Sequence, residues 1–215
     1  MLEDFEFGSS MPHRVLEITQ ERATAVRLIT TSGKVDKYVA LSDRWGSSES
    51  TFTTKKTLRD RMTNIAFEDL DKMYQDAVTV TTKLGLRYLW INALCIVQDD
   101  EEEWKAQVAV MGSIFQGAKL KIGASSADDP ALGFLMLRNV LMCQPPYREK
   151  PGKPDGVMYM RHVTGHIDLD VGLAPLNQRG WVLQEHLLSR RILHFTKEQI
   201  YWEYRETDYA ETILT

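Results

Sequence analysis

One stretch decides the fold: Leu86-Arg87-Tyr88-Leu89-Trp90-Ile91-Asn92-Ala93-Leu94-Cys95-Ile96-Val97-Gln98-Asp99-Asp100. Its first part, from Tyr88 to Ile91, is short, apolar and rich in aromatic and branched residues, and it follows a helix stop at Gly85. This pattern predicts a strand that is buried on both faces, as in a parallel sheet. Polar side chains follow at once, and ligands of open α/β sheets bind where strands end. The sequence therefore predicts the floor of a site at the carboxyl end of this strand.

Length and composition restrict the class of protein. The chain has 215 residues, of which 43% are apolar and 26% are charged, as in one soluble globular domain. A net charge of −4 argues against a nucleic-acid partner, and no run approaches the roughly 18 apolar residues of a membrane span. The N-terminus lacks the apolar region of a signal peptide, and two distant cysteines, Cys95 and Cys143, indicate a reducing compartment. We therefore predict a cytoplasmic protein.

The N-terminal part carries short strand patterns. Residues 1–12 are predicted to be a frayed leader, and His13 to Gln20 and Thr24 to Thr31 alternate like a hairpin or edge strands. Residues 37–42 form a short apolar strand that ends in Ser-Asp-Arg-Trp-Gly. The predicted division of the chain is a β extension (1–36), a main domain (37–205) with an insertion at about 127–173, and a C-terminal tail (206–215) that could mark a truncation.

Two helices are predicted in the middle of the chain. Apolar residues from Leu70 to Leu84 follow helical spacing up to the stop at Gly85. The acids at 99–103 favour the positive end of a helix dipole, and without spaced histidines they do not predict a metal site. The second helix ends at Gly117, and a strand follows at 120–124. The predicted buried face of the second helix consists of Trp104, Val108, Met111 and Phe115.

The last third alternates irregular and regular segments. Residues 127–156 are rich in Pro and Gly without a clear period, which predicts a long surface insertion. Val157 to Val163 and His166 to Val171 have the pattern of an added β pair, which argues against a helical metal pair of His162 and His166. A turn at 175–179, a helix at 180–188 and strands at 192–195 and 199–204 are then predicted. The alternation of strands and helices predicts an α/β fold with a parallel sheet.

Three stretches together resemble the fungal heterokaryon incompatibility (HET) domain. Their order and spacing match over about residues 38–205, and the residues between them match as well, including Thr53-Thr54-Lys55, Phe115 and Ala124-Ser125-Ser126. The three stretches are Tyr38-Val39-Ala40-Leu41-Ser42-Asp43-Arg44-Trp45-Gly46, residues 88–100, and Arg179-Gly180-Trp181-Val182-Leu183-Gln184-Glu185 with Ser189-Arg190-Arg191-Ile192-Leu193-His194-Phe195.

This resemblance implies a domain of fungal nonself recognition and regulated cell death. It also implies kinship to TIR domains, which have a flavodoxin-like parallel sheet flanked by helices and which self-associate. Some TIR relatives cleave NAD at the nicotinamide–ribose bond with a glutamate in a Trp-Cys-x-x-Glu stretch. Residues 181–185 have the same spacing from Trp to Glu, so the resemblance makes Glu185 the catalytic candidate. NAD is then a substrate, and neither a cofactor nor a metal is expected.

The chemistry of this cleavage suits a single carboxylate. Nicotinamide leaves as a neutral ring, so no general acid is required, and a carboxylate near the ribose stabilises the oxocarbenium-like transition state. Trp45 could stack on a ring and Arg44 could pair with a phosphate. The candidate residues for a nucleotide or other small-molecule ligand are Ser42, Asp43, Arg44, Trp45, Asn92, Gln98, Ser125, Ser126, Arg179 and Trp181.

Each candidate residue also has a structural interpretation. Glu185 could form a salt bridge with a nearby arginine (179, 190 or 191), and Trp181 could belong to the core. Cys95 lies in an apolar run, which raises a thiol pKa and disfavours a nucleophile.

The sequence departs from the family's usual pattern at two positions. Asp43 stands where members commonly have Tyr, and Asn92 stands where they commonly have Asp. Two other functions therefore stay open. One is a non-catalytic homotypic signalling module with a degenerate site, and the other is a small-molecule enzyme of fungal secondary metabolism built on the same scaffold.

Overall fold

The computed structural model describes residues 8–19, 25–43, 52–125, 132–136, 142–143, 160–161, 167–178, 180–197, 199–204 and 207–210. They form a mixed α/β fold. Its strands are β1 (Ser9–Ser10), β2 (Arg14–Ile18), β3 (Ala25–Thr30), β4 (Val35–Asp36), β5 (Tyr38–Ser42), β6 (Ile65–Ala66), β7 (Tyr88–Trp90), β8 (Leu120–Gly123), β9 (Met142–Cys143), β10 (Met160–Arg161), β11 (Arg191–Phe195), β12 (Ile200–Tyr204) and β13 (Thr207–Ala210). Its α-helices are α1 (Leu58–Thr63), α2 (Lys72–Lys83), α3 (Asn92–Cys95), α4 (Glu101–Gly117), α5 (Ile167–Asp170) and α6 (Gly180–Leu188), and short 3-10 helices span Phe67–Asp69 and Pro175–Gln178.

The central sheet is mixed and has nine strands in the order β13-β12-β11-β8-β5-β7-β2-β3-β6. Four neighbouring strands, β11, β8, β5 and β7, run parallel, and the remaining pairs in this sheet are antiparallel. The predicted α/β class is confirmed. The parallel arrangement is confined to the four central strands, because hairpins extend the sheet on both sides.

The predicted central strand is confirmed. All three residues of β7 are buried, and β7 pairs in parallel with β5 and antiparallel with β2. The Trp90 side chain is 1% exposed, and its ring meets the Phe115 ring edge-on at 5.5 Å between centroids. Burial raises the pKa of the Cys95 thiol to about 12, which agrees with a structural cysteine and not with a nucleophile.

The two predicted helices are present as α2 and α4. Gly85 follows α2 with a φ of +70°, a backbone conformation that glycine adopts readily. Asp100 caps α4, because its carboxylate accepts a hydrogen bond from the Glu103 backbone N–H at 3.2 Å. The predicted buried face of α4 is only partly correct: Phe115 is buried, but Trp104 is 38% exposed. The amino-terminal half of α4 faces a cavity toward α6, which leaves Trp104 at the cavity surface.

The N-terminal segment is more ordered than predicted. β2 and β3 form the predicted hairpin, but β2 lies inside the sheet between β7 and β3 and is fully buried. Residues 8–12 are not a frayed leader, because β1 pairs with β4 and Met11 is buried. In addition, the Ser9 hydroxyl donates to the Gly117 carbonyl at 2.5 Å, which ties this segment to the end of α4.

One of the two strands predicted as a β pair in the insertion, at His166 to Val171, is wrong. β10 pairs with β9, while Ile167–Asp170 is the helix α5. The reason is the spacing of Ile167 and Val171, which places both on one face of a helix, where they pack with Tyr201. Within the predicted C-terminal tail, β13 pairs with β12. His162 and His166 lie outside the described residues.

A buried carboxylate on α2 fixes part of the insertion. Asp76 forms an ion pair with Lys72 and accepts hydrogen bonds from the backbone N–H groups of Phe134 at 2.8 Å and Leu135 at 2.9 Å. The neighbouring Gly133 has a φ of +71°, and a Cβ on it would lie 2.3 Å from an Asp76 oxygen. The sequence therefore needs a glycine beside this acid.

Replacing Asp76 with alanine is expected to lower the free energy of unfolding by about 1–3 kcal/mol, because two N–H groups lose their partner. Urea denaturation measures the change. Asp69→Ala is the matched control, since Asp69 is exposed in the 3-10 helix before α2. Equal stability of the two variants would contradict an anchoring role for Asp76.

Candidate functional site

The candidate site lies where β5 and β8 end side by side. Ser42 and Gly123 are paired at the carboxyl ends of these two parallel strands. Helix α6 crosses this edge, and the Ser42 hydroxyl donates a short hydrogen bond to a carboxylate oxygen of Glu185. The two residues are 143 positions apart in the sequence, so the fold brings them together. The structure thus places Glu185 at the sheet edge that the sequence predicts for a site.

A cavity of about 220 Å³ opens beside Glu185, between α4 and α6. Trp104 and Trp181 are 38% and 59% exposed, so the interpretation of Trp181 as a core residue is wrong. The cavity is therefore an aromatic and apolar recess with a small number of polar groups, as in small-molecule sites. Its apolar lining is Leu41, Trp104, Val108, Met111, Phe115, Trp181 and Val182, and its polar lining is Asp43, Asn92 and Glu185.

Asp43 has a partner in the core. The Tyr74 hydroxyl on α2 hydrogen-bonds the buried Asp43 carboxylate. Burial, followed by the charge of Asp43, raises the pKa of Tyr74, while the positive charge of Arg61 opposes this rise. Asp43 therefore holds its strand end against α2 as well as lining the cavity.

The structure separates the other candidates into two groups. Asn92 lines the cavity at the start of α3. Gln98 instead donates its side-chain N–H to the carbonyls of Asn92 at 3.1 Å and Ile96 at 3.2 Å, so it stabilises the backbone around α3. Ser125 is buried, and its hydroxyl lies 3.5 Å from Nδ1 of His194. The candidates Arg44, Trp45, Ser126 and Arg179 lie outside the described residues.

A buried polar cluster under α6 was missed by sequence reasoning. Lys121 on β8 is 1% exposed, and burial lowers its pKa to about 8, although the charges of Glu185 and Glu203 oppose this. Nε2 of His186 lies 2.8 Å from Oε1 of Glu203, and Nε2 of His194 lies 3.0 Å from Oε2 of Glu203. Burial alone would raise the pKa of Glu203, but hydrogen bonds and charge from the two histidines lower it to about 2. A lysine within the apolar run Leu120–Gly123 and a histidine within the strand Arg191–Phe195 were the available signals.

Lys121 is expected to make the domain more stable as the pH rises from about 8 toward 10.5. Over this interval the folded chain has released a proton from Lys121 that the unfolded chain still holds, because burial lowers the pKa only in the fold. Stability rises with pH where the unfolded state binds more protons, by at most about 1.4 kcal/mol per pH unit for one group. The unfolding free energy of the wild type minus that of Lys121→Met should therefore grow across this interval in urea denaturation. A constant difference would contradict the lowered pKa.

Comparison with known proteins gives one match. A family model described as Heterokaryon incompatibility protein (HET) matches residues 38–185, which is more than half of the chain and runs from β5 to Glu185. No curated protein and no solved structure shows a significant match. In the described part of the chain, no helix has both the length and the apolar character that a membrane crossing requires.

Proposed function

The chain belongs to the heterokaryon incompatibility (HET) family, and from this premise we propose that it acts in fungal nonself recognition and regulated cell death by cleaving NAD at the nicotinamide–ribose bond. The observation that carries the catalytic part is the position of Glu185. Its carboxylate receives the Ser42 hydrogen bond and lines an aromatic cavity at the carboxyl edge of a parallel sheet. A carboxylate in such a place can stabilise positive charge that develops on a ribose.

The order of the parallel strands supports a TIR-like, flavodoxin-like arrangement. Numbered along the chain, β5, β7, β8 and β11 occur in the spatial order 2-1-3-4. Flavodoxin-like sheets have this relative order, and their ligands bind outside the strand ends where the order reverses. Here that point lies between β5 and β8, which is where Ser42 and Glu185 meet.

The cavity suits the reacting part of NAD. A nicotinamide ring joined to ribose is cationic and planar, and indole faces such as those of Trp104 and Trp181 attract cations. A volume of about 220 Å³ accommodates a single ring, so the rest of the dinucleotide has to lie outside. The ring leaves as a neutral molecule, while Glu185 stabilises the oxocarbenium-like ribose and orients water or the 2-hydroxyl.

Ser42 and Lys121 act on the Glu185 carboxylate, the first through a hydrogen bond and the second through its charge. Ser42 fixes its orientation by hydrogen bonding to one oxygen. Lys121 contributes a positive charge from beneath, and a nearby opposite charge favours the ionised form of a carboxyl group. We assign both as positioning residues, since Lys121 is buried and does not line the cavity.

Incubation of the purified protein with NAD tests the proposal. The protein is used at high concentration, because TIR-like activity is expected to depend on self-association, and nicotinamide release is followed by chromatography. Release by the wild type that disappears in Glu185→Ala supports the proposal. No release from protein that sedimentation shows to be assembled would overturn the catalytic part.

One observation favours a non-catalytic signalling module as the second candidate. Leu183 and Leu187 lie one turn apart on α6 and are both exposed, and neighbouring exposed apolar side chains are typical of contacts between proteins. Cell death that requires assembly but persists in Glu185→Gln would favour this module. Turnover of a different small molecule in the same cavity would instead favour a repurposed biosynthetic enzyme.

A further inference from the structure

Three side chains at the end of α6 are arranged as metal ligands are. His186 lies in the last turn of α6, His194 lies on β11, and Glu203 lies opposite on β12. One potential ligand atom from each residue can be chosen so that all of them lie within 4.8 Å of one another. From this geometry we propose that His186, His194 and Glu203 bind a divalent transition-metal ion of the Zn²⁺ type. The proposal does not depend on NAD cleavage.

The three ligand atoms lie close enough for side-chain rotation to bring them to one ion. The two Nε2-to-Glu203 distances are 2.8 and 3.0 Å. Zn²⁺ binds histidine nitrogen and carboxylate oxygen at about 2.0–2.2 Å, which puts neighbouring ligands of a tetrahedral ion roughly 3.4 Å apart. The largest separation in the cluster, up to 4.8 Å, therefore has to shorten by as much as about 1.4 Å, and rotation of the partly exposed His186 side chain can supply that movement. In the metal-free protein the same atoms are satisfied by hydrogen bonding.

The kind of ligand and its surroundings agree with this ion. Two imidazoles and one carboxylate form a ligand set that zinc sites use, with a fourth position left for water. His194 is buried, and its other ring nitrogen, Nδ1, lies 3.5 Å from the Ser125 hydroxyl. In metal sites a hydrogen-bonding partner at this nitrogen orients the histidine toward the ion. His186 is 31% exposed, so an ion can reach the site from solvent.

The charged groups around the cluster are net negative when the histidines are neutral. Two carboxylates, Glu185 and Glu203, and one ammonium group, Lys121, give a net charge of −1 when the histidines are neutral. Lys121 lowers the affinity for a dication and Glu185 offsets that effect. A bound ion would join the end of α6 to β11 and β12, and it would thereby fix the helix that carries Glu185. Metal binding should therefore raise the thermal stability of the protein.

Titration of the chelator-treated protein with Co²⁺, a spectroscopic substitute for Zn²⁺, tests the site. We expect one equivalent to produce the visible absorption of tetrahedral cobalt, Zn²⁺ to displace it, and Zn²⁺ to raise the melting temperature. His186→Ala and Glu203→Gln should each weaken Co²⁺ binding at least about 100-fold, because each removes a direct ligand and loss of a residue that only orients a ligand already costs about 10–100-fold. His186 is partly exposed, so its variant should keep the far-ultraviolet circular dichroism of the wild type.

The matched control is His13→Ala, which removes an exposed histidine at the start of the hairpin and should bind Co²⁺ as the wild type does. Absence of tetrahedral absorption in the wild type would overturn the proposal. Binding that persists in both ligand variants would place the ion elsewhere and would overturn it as well.

Discussion

Replacement of Trp90 by alanine is expected to lower the free energy of unfolding by about 3–5 kcal/mol, as is typical for removal of a buried tryptophan. The side chain is 1% exposed at the centre of the sheet, and its ring packs edge-on against Phe115 of α4. The loss therefore opens a cavity between the sheet and this helix. Since a domain of this kind has a total stability of about 5–15 kcal/mol, much of the variant should be unfolded at moderate urea concentrations.

Urea denaturation followed by circular dichroism measures this loss, and the melting temperature should fall by about 6–20 °C for a chain of this length. Trp104→Ala is the matched control, because it removes the same side chain from the exposed part of α4. Its stability should fall clearly less than that of Trp90→Ala, because Trp104 is 38% exposed. A Trp90→Ala variant that is as stable as Trp104→Ala would contradict the position of β7 in the core.

The elements that follow from local rules could be predicted from the sequence. β7 is an apolar run between a glycine stop and polar residues, and α2 and α4 combine helical spacing with a cap or a stop. Each of these signals lies within one short segment. The family was also predictable, because three separate stretches match it in order, and the family model confirms it.

The polar cluster under α6 could not be predicted in the same way. Lys121 and His194 lie on central strands whose two faces are both buried, so alternation of polar and apolar residues does not show which side chains meet. Their partners come from other segments, as Glu203 does from β12. Only the order of the strands brings them together.

Alternation was misleading in α5. Ile167 and Leu169 alternate with two aspartates, which is typical of a strand, but Leu169 is exposed and Ile167 packs with Val171. A segment of four residues is too short for its period to be recognised against its flanks. Asp170 then receives a hydrogen bond from the Tyr201 hydroxyl at 2.5 Å, which secures the helix from outside its own sequence.

On the proposed function, replacement of Glu185 by glutamine is expected to lower nicotinamide release at least about 100-fold, the effect of removing one preorganised electrostatic group. The amide oxygen can still accept the Ser42 hydrogen bond, while the negative charge that stabilises the ribose cation is lost. This interaction strengthens only in the transition state, so kcat should fall while KM for NAD changes little. Stability should change by less than about 1 kcal/mol, because a half-buried acid contributes little when its hydrogen bond is kept.

Glu101→Gln is the matched control for Glu185→Gln. It neutralises an exposed glutamate in the first turn of α4, which lies outside the cavity lining. Its kcat and KM should equal those of the wild type, and the melting temperatures of both variants should stay within a few degrees of the wild type. If Glu185→Gln keeps wild-type kcat, the carboxylate does not stabilise the transition state. If its melting temperature falls sharply instead, Glu185 holds α6 to the sheet, and its contact with Ser42 serves the fold.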